Sequence, residues 1–199
     1  TKAGYYSRIS RLYAFSDPET GLQYADSSIK LATKLNAPFR LGNGYAVKAI
    51  NISNLGNDST AIRFYELAKT TLIQAGNDEG LIALVTQNEG ISYFNVSNYA
   101  NAISCHQKAL ELGRKVGNVK VQSAALNSLG VVYMTLSMVP KAMENYFAAL
   151  KIIEEAGDSI QMATTYTNLG IQHKNIGNYE KALWYYQKAY GIYSRQHDL

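Results

Sequence analysis

Gly90, Gly130 and Gly170 stand forty residues apart, and the residues around them repeat with the same period. Twelve residues after each glycine comes an alanine (Ala102, Ala142, Ala182). Four further on stands a ring (His106, Tyr146, Tyr186), and three beyond that another alanine (Ala109, Ala149, Ala189). A register that holds in four columns at once describes one supersecondary unit stacked on copies of itself, each copy covering apolar surface its neighbour cannot bury alone. Toward the N-terminus the register continues with one extra residue, placing Ala49, Ala61, Tyr65 and Ala68 in the same columns. A further unit back it degrades to Gly21, Ala25 and Ser28, as expected of a terminal unit with one face uncovered.

Two punctuation columns set the helix boundaries. Asp17, Asn57, Asn98, Met138 and Asn178 form one, and four of the five can accept from the orphan N–H groups of a first helical turn. Pro18 and Pro140 follow two of them, where a missing N–H costs nothing. Gly76, Gly117 and Gly157 form the other, suited to a left-handed C-cap, and Asn77, Asn118 and Asp158 after them can cap the next helix. The pattern predicts ten helices. First helices run near 3–15, 39–54, 78–96, 119–136 and 159–176, and partners near 18–34, 59–75, 99–115, 140–155 and 179–195. Small residues in the glycine and alanine columns let helix backbones approach closely, while Tyr and Leu fill the remaining space.

Composition narrows the function classes. Of 199 residues 47% are apolar and 17% charged, which suits a packed chain rather than a disordered one. The charge of +4 is scattered singly rather than gathered in the basic stripe that nucleic-acid binding needs, so this segment is not expected to bind DNA or RNA. No apolar run is long enough to cross a bilayer as a helix, and no membrane partner is expected of this segment.

The motif Leu-Gly with Tyr three residues on (Leu129-Gly130, Tyr133), followed by Ala, a ring and Ala, resembles the tetratricopeptide repeat across essentially the whole chain. The usual period is about 34 residues; the forty seen here resembles the longer units of kinesin light chains, Leu-Gly-Asn repeat proteins and Rap-type bacterial regulators. The usual tryptophan is absent, and Gly-Asn or Gly-Asp replaces the usual closing proline. The resemblance implies an all-α, right-handed superhelical solenoid of about five helix-turn-helix units, spanning 1–36, 37–76, 77–117, 118–157 and 158–199 of a single array. Thr1 begins inside a first helix and Asp198 sits where a sixth pair would be capped, so the chain reads as part of a longer protein.

Chemistry has few places to sit. His106 and His173 occupy aromatic columns and are expected to fill packing slots, since no second ligand shares their register. Cys105 takes the column of Phe64 and Tyr185, and the adjacent His106 points about 100° away around the helix, so the thiol is read as filler. No phosphate loop, zinc motif or nucleophile elbow occurs, and neither a cofactor nor an enzymatic activity is expected.

Function is expected on the concave face, which the resemblance assigns to the first helices. The lining positions are Gln87, Asn88, Ile91, Phe94 and Asn95; Asn127, Ser128, Val131, Met134 and Thr135; and Thr167, Asn168, Ile171, Lys174 and Asn175, with Ile50, Ser53 and Asn54 from the second unit. Amides carry both a donor and an acceptor, so a ladder of them can pair with an extended peptide while apolar neighbours hold its side chains. The Lys/Arg-plus-Asn arrangement that some tetratricopeptide cochaperones use for a C-terminal carboxylate is not evident, Lys174 standing alone. The expected partner is a protein or peptide, bound by the sensing or scaffolding part of a larger signalling or regulatory protein in the bacterial style. The alternatives are a Rap-like response-regulator phosphatase and a self-associating scaffold. Rap proteins carry a separate helical bundle before their repeats, whereas here the repeats begin almost at once.

Overall fold

The computed structural model describes residues 1–76 and 78–197, and within them every regular element is a helix. The order is α1 (Lys2–Tyr13), α2 (Pro18–Lys34), α3 (Pro38–Asn54), α4 (Asp58–Gln74), α5 (Glu79–Asn95), α6 (Tyr99–Lys115), α7 (Val119–Thr135), α8 (Val139–Ala156), α9 (Ser159–Asn175) and α10 (Tyr179–His197). Each boundary lies within a residue or two of the one the punctuation predicts. Asn77 and Asp198, two of the expected caps, lie outside the described residues; α5 is capped by Asp78, whose carboxylate accepts from the Leu81 N–H at 2.9 Å.

The caps work as the column implies. Side-chain oxygens of Asp17, Asn57, Asn98 and Asn178 each accept from the N–H three residues on, at 3.1–3.3 Å. Met138 cannot, and α8 relies on Pro140 in its first turn. Preceding helices close by a bond from the cap N–H to the carbonyl five residues back, as in Asn98 to Tyr93 and Asn178 to His173, both 2.8 Å. That closure requires a left-handed residue between them. Gly56 and Gly177 supply it without strain, but Ser97 and Ser137 take φ of 60° and 57° in the equivalent turns, a column the glycines alone did not reveal.

Three of the helix pairs, α5–α6, α7–α8 and α9–α10, are held by a ring against a glycine. A Cβ added at Gly130 would lie 2.5 Å from Tyr146 Cε1, and one at Gly170 would lie 2.6 Å from Tyr186 Cε1. At Gly90 the contact is His106 Cε1, also 2.6 Å. The alanine columns flanking each ring are buried throughout.

The chain divides into two compact units, Thr1–Leu112 and Gly113–Leu199, with the division inside α6. In the first, Tyr65 and Leu72 are packed among Ala46, Ala49, Ala61, Ala68, Ile82 and Val85. In the second, Ala142, Tyr146 and Leu169 form the centre. Within each unit, polar side chains tie successive first helices. Asn51 Nδ2 donates to Ser10 Oγ at 3.0 Å, and Asn54 Nδ2 to the Ala14 carbonyl at 2.6 Å. In the second unit, Ser123 bonds Gln161 and Asn127 Nδ2 donates to Thr165 Oγ1 at 3.0 Å.

The glycine–ring contact yields a test of opposite signs. Gly130→Leu should lower stability in urea unfolding by about 3 kcal/mol or more, because the new side chain must displace a fully buried ring. Gly191→Ala, with no atom within 4 Å of the added methyl, should raise it by about 0.5–1 kcal/mol. Equal effects of the two changes would contradict the packing described.

Candidate functional site

The first unit contains an open cavity of about 340 Å³. Three helices place its walls by helical spacing. Leu84, Asn88 and Ile91 form one stripe of α5, while Ile50, Ser53 and Asn54 lie on the last turns of α3. Arg11 and Phe15, at the end of α1 and just beyond it, close one side, and the ring of Tyr65 forms part of the floor. Ile91 is 41% exposed and Phe15 87%, so apolar surface is open to solvent here. The floor is rigid. Ser53 Oγ donates to Asp58 Oδ1 at 2.6 Å, Asn95 Nδ2 donates to Asp58 Oδ2 at 3.0 Å, and burial pushes the Tyr65 hydroxyl well above its ordinary pKa.

The residues expected on the concave face divide accordingly. Asn88 and Ile91 line the cavity with Ile50, Ser53 and Asn54. Gln87 does not: it is buried, its amide oxygen 2.8 Å from His106 Nδ1, because one residue of rotation turns it toward α6. Phe94 packs on Tyr99 at 5.7 Å between ring centres, and Asn95 is committed to Asp58. In the second unit Asn127 is committed to Thr165, and Val131 and Met134 pack on the Tyr146 core. Asn168 there is half-buried, whereas Ile171, Lys174 and Asn175 are exposed. The sequence reading missed Arg11 and Phe15, because the first repeat departs from the register, and Leu84, because it lies a turn before the columns assigned to the concave face.

A buried polar cluster sits behind the cavity. Glu89 is 1% exposed and pairs with Lys69 Nζ at 2.5 Å, with the Cys105 thiol at 3.6 Å. Burial raises the Glu89 pKa against the opposing pull of Lys69. Burial, then the Glu89 charge, pushes the Cys105 thiol up to about 12, so it stays protonated and unreactive at neutral pH. Burial alone drops His106 to about 4. His173 is lowered by burial and then by Lys181, and it stacks on Tyr185 at 5.3 Å. Lys69 and Glu89 stand one repeat before Leu110 and Leu129 and two before Leu150 and Leu169, so an ion pair replaces a leucine pair.

The tetratricopeptide-repeat family profile matches residues 121–195. Those residues comprise the second unit's four helices, with the glycine, ring and alanine columns in place. Over residues 121–195 the chain belongs to the tetratricopeptide-repeat family. No curated protein sequence matches this chain significantly. Solved structures do match its repeats. BtubC (BKLC) from P. vanneervenii aligns over 99% of this chain and 90% of its own, at 22% identity and a TM-score of 0.71. A Rap protein complexed with Competence and Sporulation Factor aligns over 99% of this chain and 65% of its own, at 16% identity and 0.78. A Signal Transduction ATPase with Numerous Domains from Pyrococcus horikoshii, with a tetratricopeptide repeat sensor, aligns over 92% of this chain but 29% of its own, at 20% identity and 0.74. At these identities the likeness is one of fold, and the chain spans under two thirds of the last two proteins.

Two measurements follow from the buried groups. His106 binds its proton at about 4 when folded and near 6.5 when unfolded, so the unfolded chain holds more protons between those values. Stability should be full above about pH 6.5 and fall by up to ~3 kcal/mol as pH drops toward 4. His106→Tyr, restoring the ring of that column, should remove this contribution and leave the opposed ones of His173, lowered by burial, and Glu89, raised by it; an unchanged slope would contradict the assignment. Lys69→Leu alone should cost about 3–5 kcal/mol by stranding the Glu89 carboxylate. Adding Glu89→Leu should recover most of that loss, as a repeat-like leucine pair forms. Denaturation of the double variant at the single variant's midpoint would refute the pairing.

Proposed function

We propose that this chain is a non-catalytic interaction module that holds an extended peptide of a partner protein on the first helices of its repeats. It serves as the sensing or scaffolding part of a larger signalling protein. The observation that carries this reading is the cavity of the first unit. It combines apolar walls at Ile50, Leu84 and Ile91 with amides at Asn54 and Asn88, within the size range of ligand sites. Proteins of the same fold lend support: one is a Rap protein complexed with Competence and Sporulation Factor, and another uses its repeats as the sensor of a signal-transduction ATPase. Catalysis is no part of the proposal, since the thiol is held protonated and His106 is buried in its neutral form.

Not every amide is available to a peptide. Asn95 and Asn127 already pair within the repeats, so their removal affects folding as well as binding. Asn88 is the amide to test. Random twelve-residue peptides displayed on phage should be enriched on the immobilised protein, and a synthetic copy of the best should bind with micromolar affinity. Asn88→Ala should weaken it about three- to tenfold, the worth of one net hydrogen bond. Ile91→Lys should weaken it at least tenfold without changing the melting temperature, and Lys108→Ala, at an exposed site paired with Glu111, should change nothing. Selected peptides that bind Ile91→Lys as tightly as the unmodified protein would defeat the cavity model.

A further inference from the structure

Second and first helices of successive repeats meet through a recurring joint. Ile29 of α2 lies against Gly44 of α3, where an added Cβ would stand 2.9 Å from Ile29 Cγ1, and Asn51 of α3 closes on Gly21 of α2. One repeat on, Lys69 of α4 pairs with Glu89 of α5, and Leu72 and Val85 share a core. In the second unit, Leu150 of α8 and Leu169 of α9 meet in the Tyr146 core. The first-helix side is therefore one stripe at spacings of four and three. It is Gly44, Lys48 and Asn51 on α3, Val85, Glu89 and Ser92 on α5, and Thr165, Leu169 and Gln172 on α9. All nine are buried except Lys48, which is half-buried.

Helix α1 carries the same stripe one residue out of step, because the turn after it is one residue shorter. The Asp17 N–H reaches the Tyr13 carbonyl where Asn57 reaches Ile52 and Asn178 reaches His173. Tyr13 stacks on Tyr24 as His173 does on Tyr185. The stripe on α1 is then Tyr5, Ile9 and Leu12. Here it is open: Leu12 is 78% exposed, Tyr5 is exposed and Ile9 is half-buried. The second-helix side is open on α10. Leu183, Tyr190 and Tyr193 hold the positions of Leu22, Ile29 and Ala32 on α2 and of Met143, Leu150 and Ile153 on α8, all buried or half-buried. On α10 all three are exposed, Tyr190 at 73%.

We propose that this chain self-associates head to tail, the Leu183–Tyr190–Tyr193 stripe of α10 in one copy covering the Tyr5–Ile9–Leu12 stripe of α1 in the next. Outer faces of end repeats are ordinarily polar, whereas these two stripes hold no charged residue, so joining them desolvates no ion. One chain thus presents both halves of the joint its own repeats make. That joint sets a second helix against a first, which favours α10 on α1 over either helix on itself. By the order of Ile29 on Gly44 and Gly21 on Asn51, Tyr190 meets Tyr5 and Leu183 meets Leu12. None of these residues lines the cavity, so the contact is independent of the peptide reading above.

Sedimentation velocity tests it. The mean mass of the 199-residue chain should climb with concentration past two copies, because unlike faces leave one of each open on every assembly. Leu12→Glu and Tyr190→Glu each place a charge in the joint at an exposed position, so circular dichroism should be unchanged. Either variant alone should stay a single chain at every concentration. Mixed in equal amounts they should pair and stop at two copies, the intact α10 of the first meeting the intact α1 of the second. Ile91→Lys, altered only in the cavity, should assemble as the unmodified chain does, so this proposal and the peptide reading fail separately. A single-chain mass for the unmodified protein at every concentration would overturn the proposal and assign the stripes to a partner of different sequence. Dimers that survive Leu12→Glu but not Tyr190→Glu would overturn it too, marking α10 against α10, as would two variants that fail to pair on mixing.

Discussion

The contact of a ring with a glycine, Tyr146 on Gly130 and Tyr186 on Gly170, is the constraint from which the rest of the fold follows. With no Cβ on one helix, the partner's ring can lie against its backbone, and the interhelical distance is then set by the thickness of an aromatic ring. The alanines one turn to either side must stay small for the same reason, and they are among the most buried residues in the chain. Close packing of this kind is unforgiving of added volume. The columns therefore repeat with a strictness that neither helix propensity nor amphipathic patterning would impose.

That strictness is why so much of the fold was legible in the sequence. Helix ends came from Asn and Asp caps and glycine closures, which act within a few residues and need no tertiary context. What was not legible has a common physical origin. A residue's place in a helical column fixes its direction only to within the width of a face, and 100° separates neighbours. Asn88 and Gln87 both read as amides at the edge of the concave face, yet one lines a cavity and the other is spent on His106. Asn95 and Asn127 look free in sequence because their acceptors, Asp58 and Thr165, lie nearly forty residues away. Arg11 and Phe15 stayed invisible because they come from the repeat whose register is broken.

The amides and hydroxyls thus have two uses that compete for the same positions. Tying one first helix to the next satisfies polar groups that the close approach of small residues would otherwise strand, and an unsatisfied buried group is costly. Asn54 shows both at once: its Nδ2 caps the Ala14 carbonyl at the end of α1, while its side chain stands on the cavity wall. A polar face built this way is already partly hydrogen-bonded before any partner arrives. Its groups are then held in place for a ligand rather than ordered by it.

The departures from the repeat carry the information that the repeat cannot. Identical columns give every unit the same surface, so selectivity must come from positions where one unit differs. In the first unit those positions are of two kinds. Lys69 and Glu89 replace a leucine pair in the interior, and Cys105 and His106 bring further polar atoms beside them. A buried pair of this kind contributes little to stability over the apolar alternative. It stands directly behind the cavity, where the Glu89 charge adds to burial in raising the Tyr65 hydroxyl. The other departure is α1 with the turn after it, which has left the repeat's forty-residue columns and places Arg11 and Phe15 on the wall of the cavity.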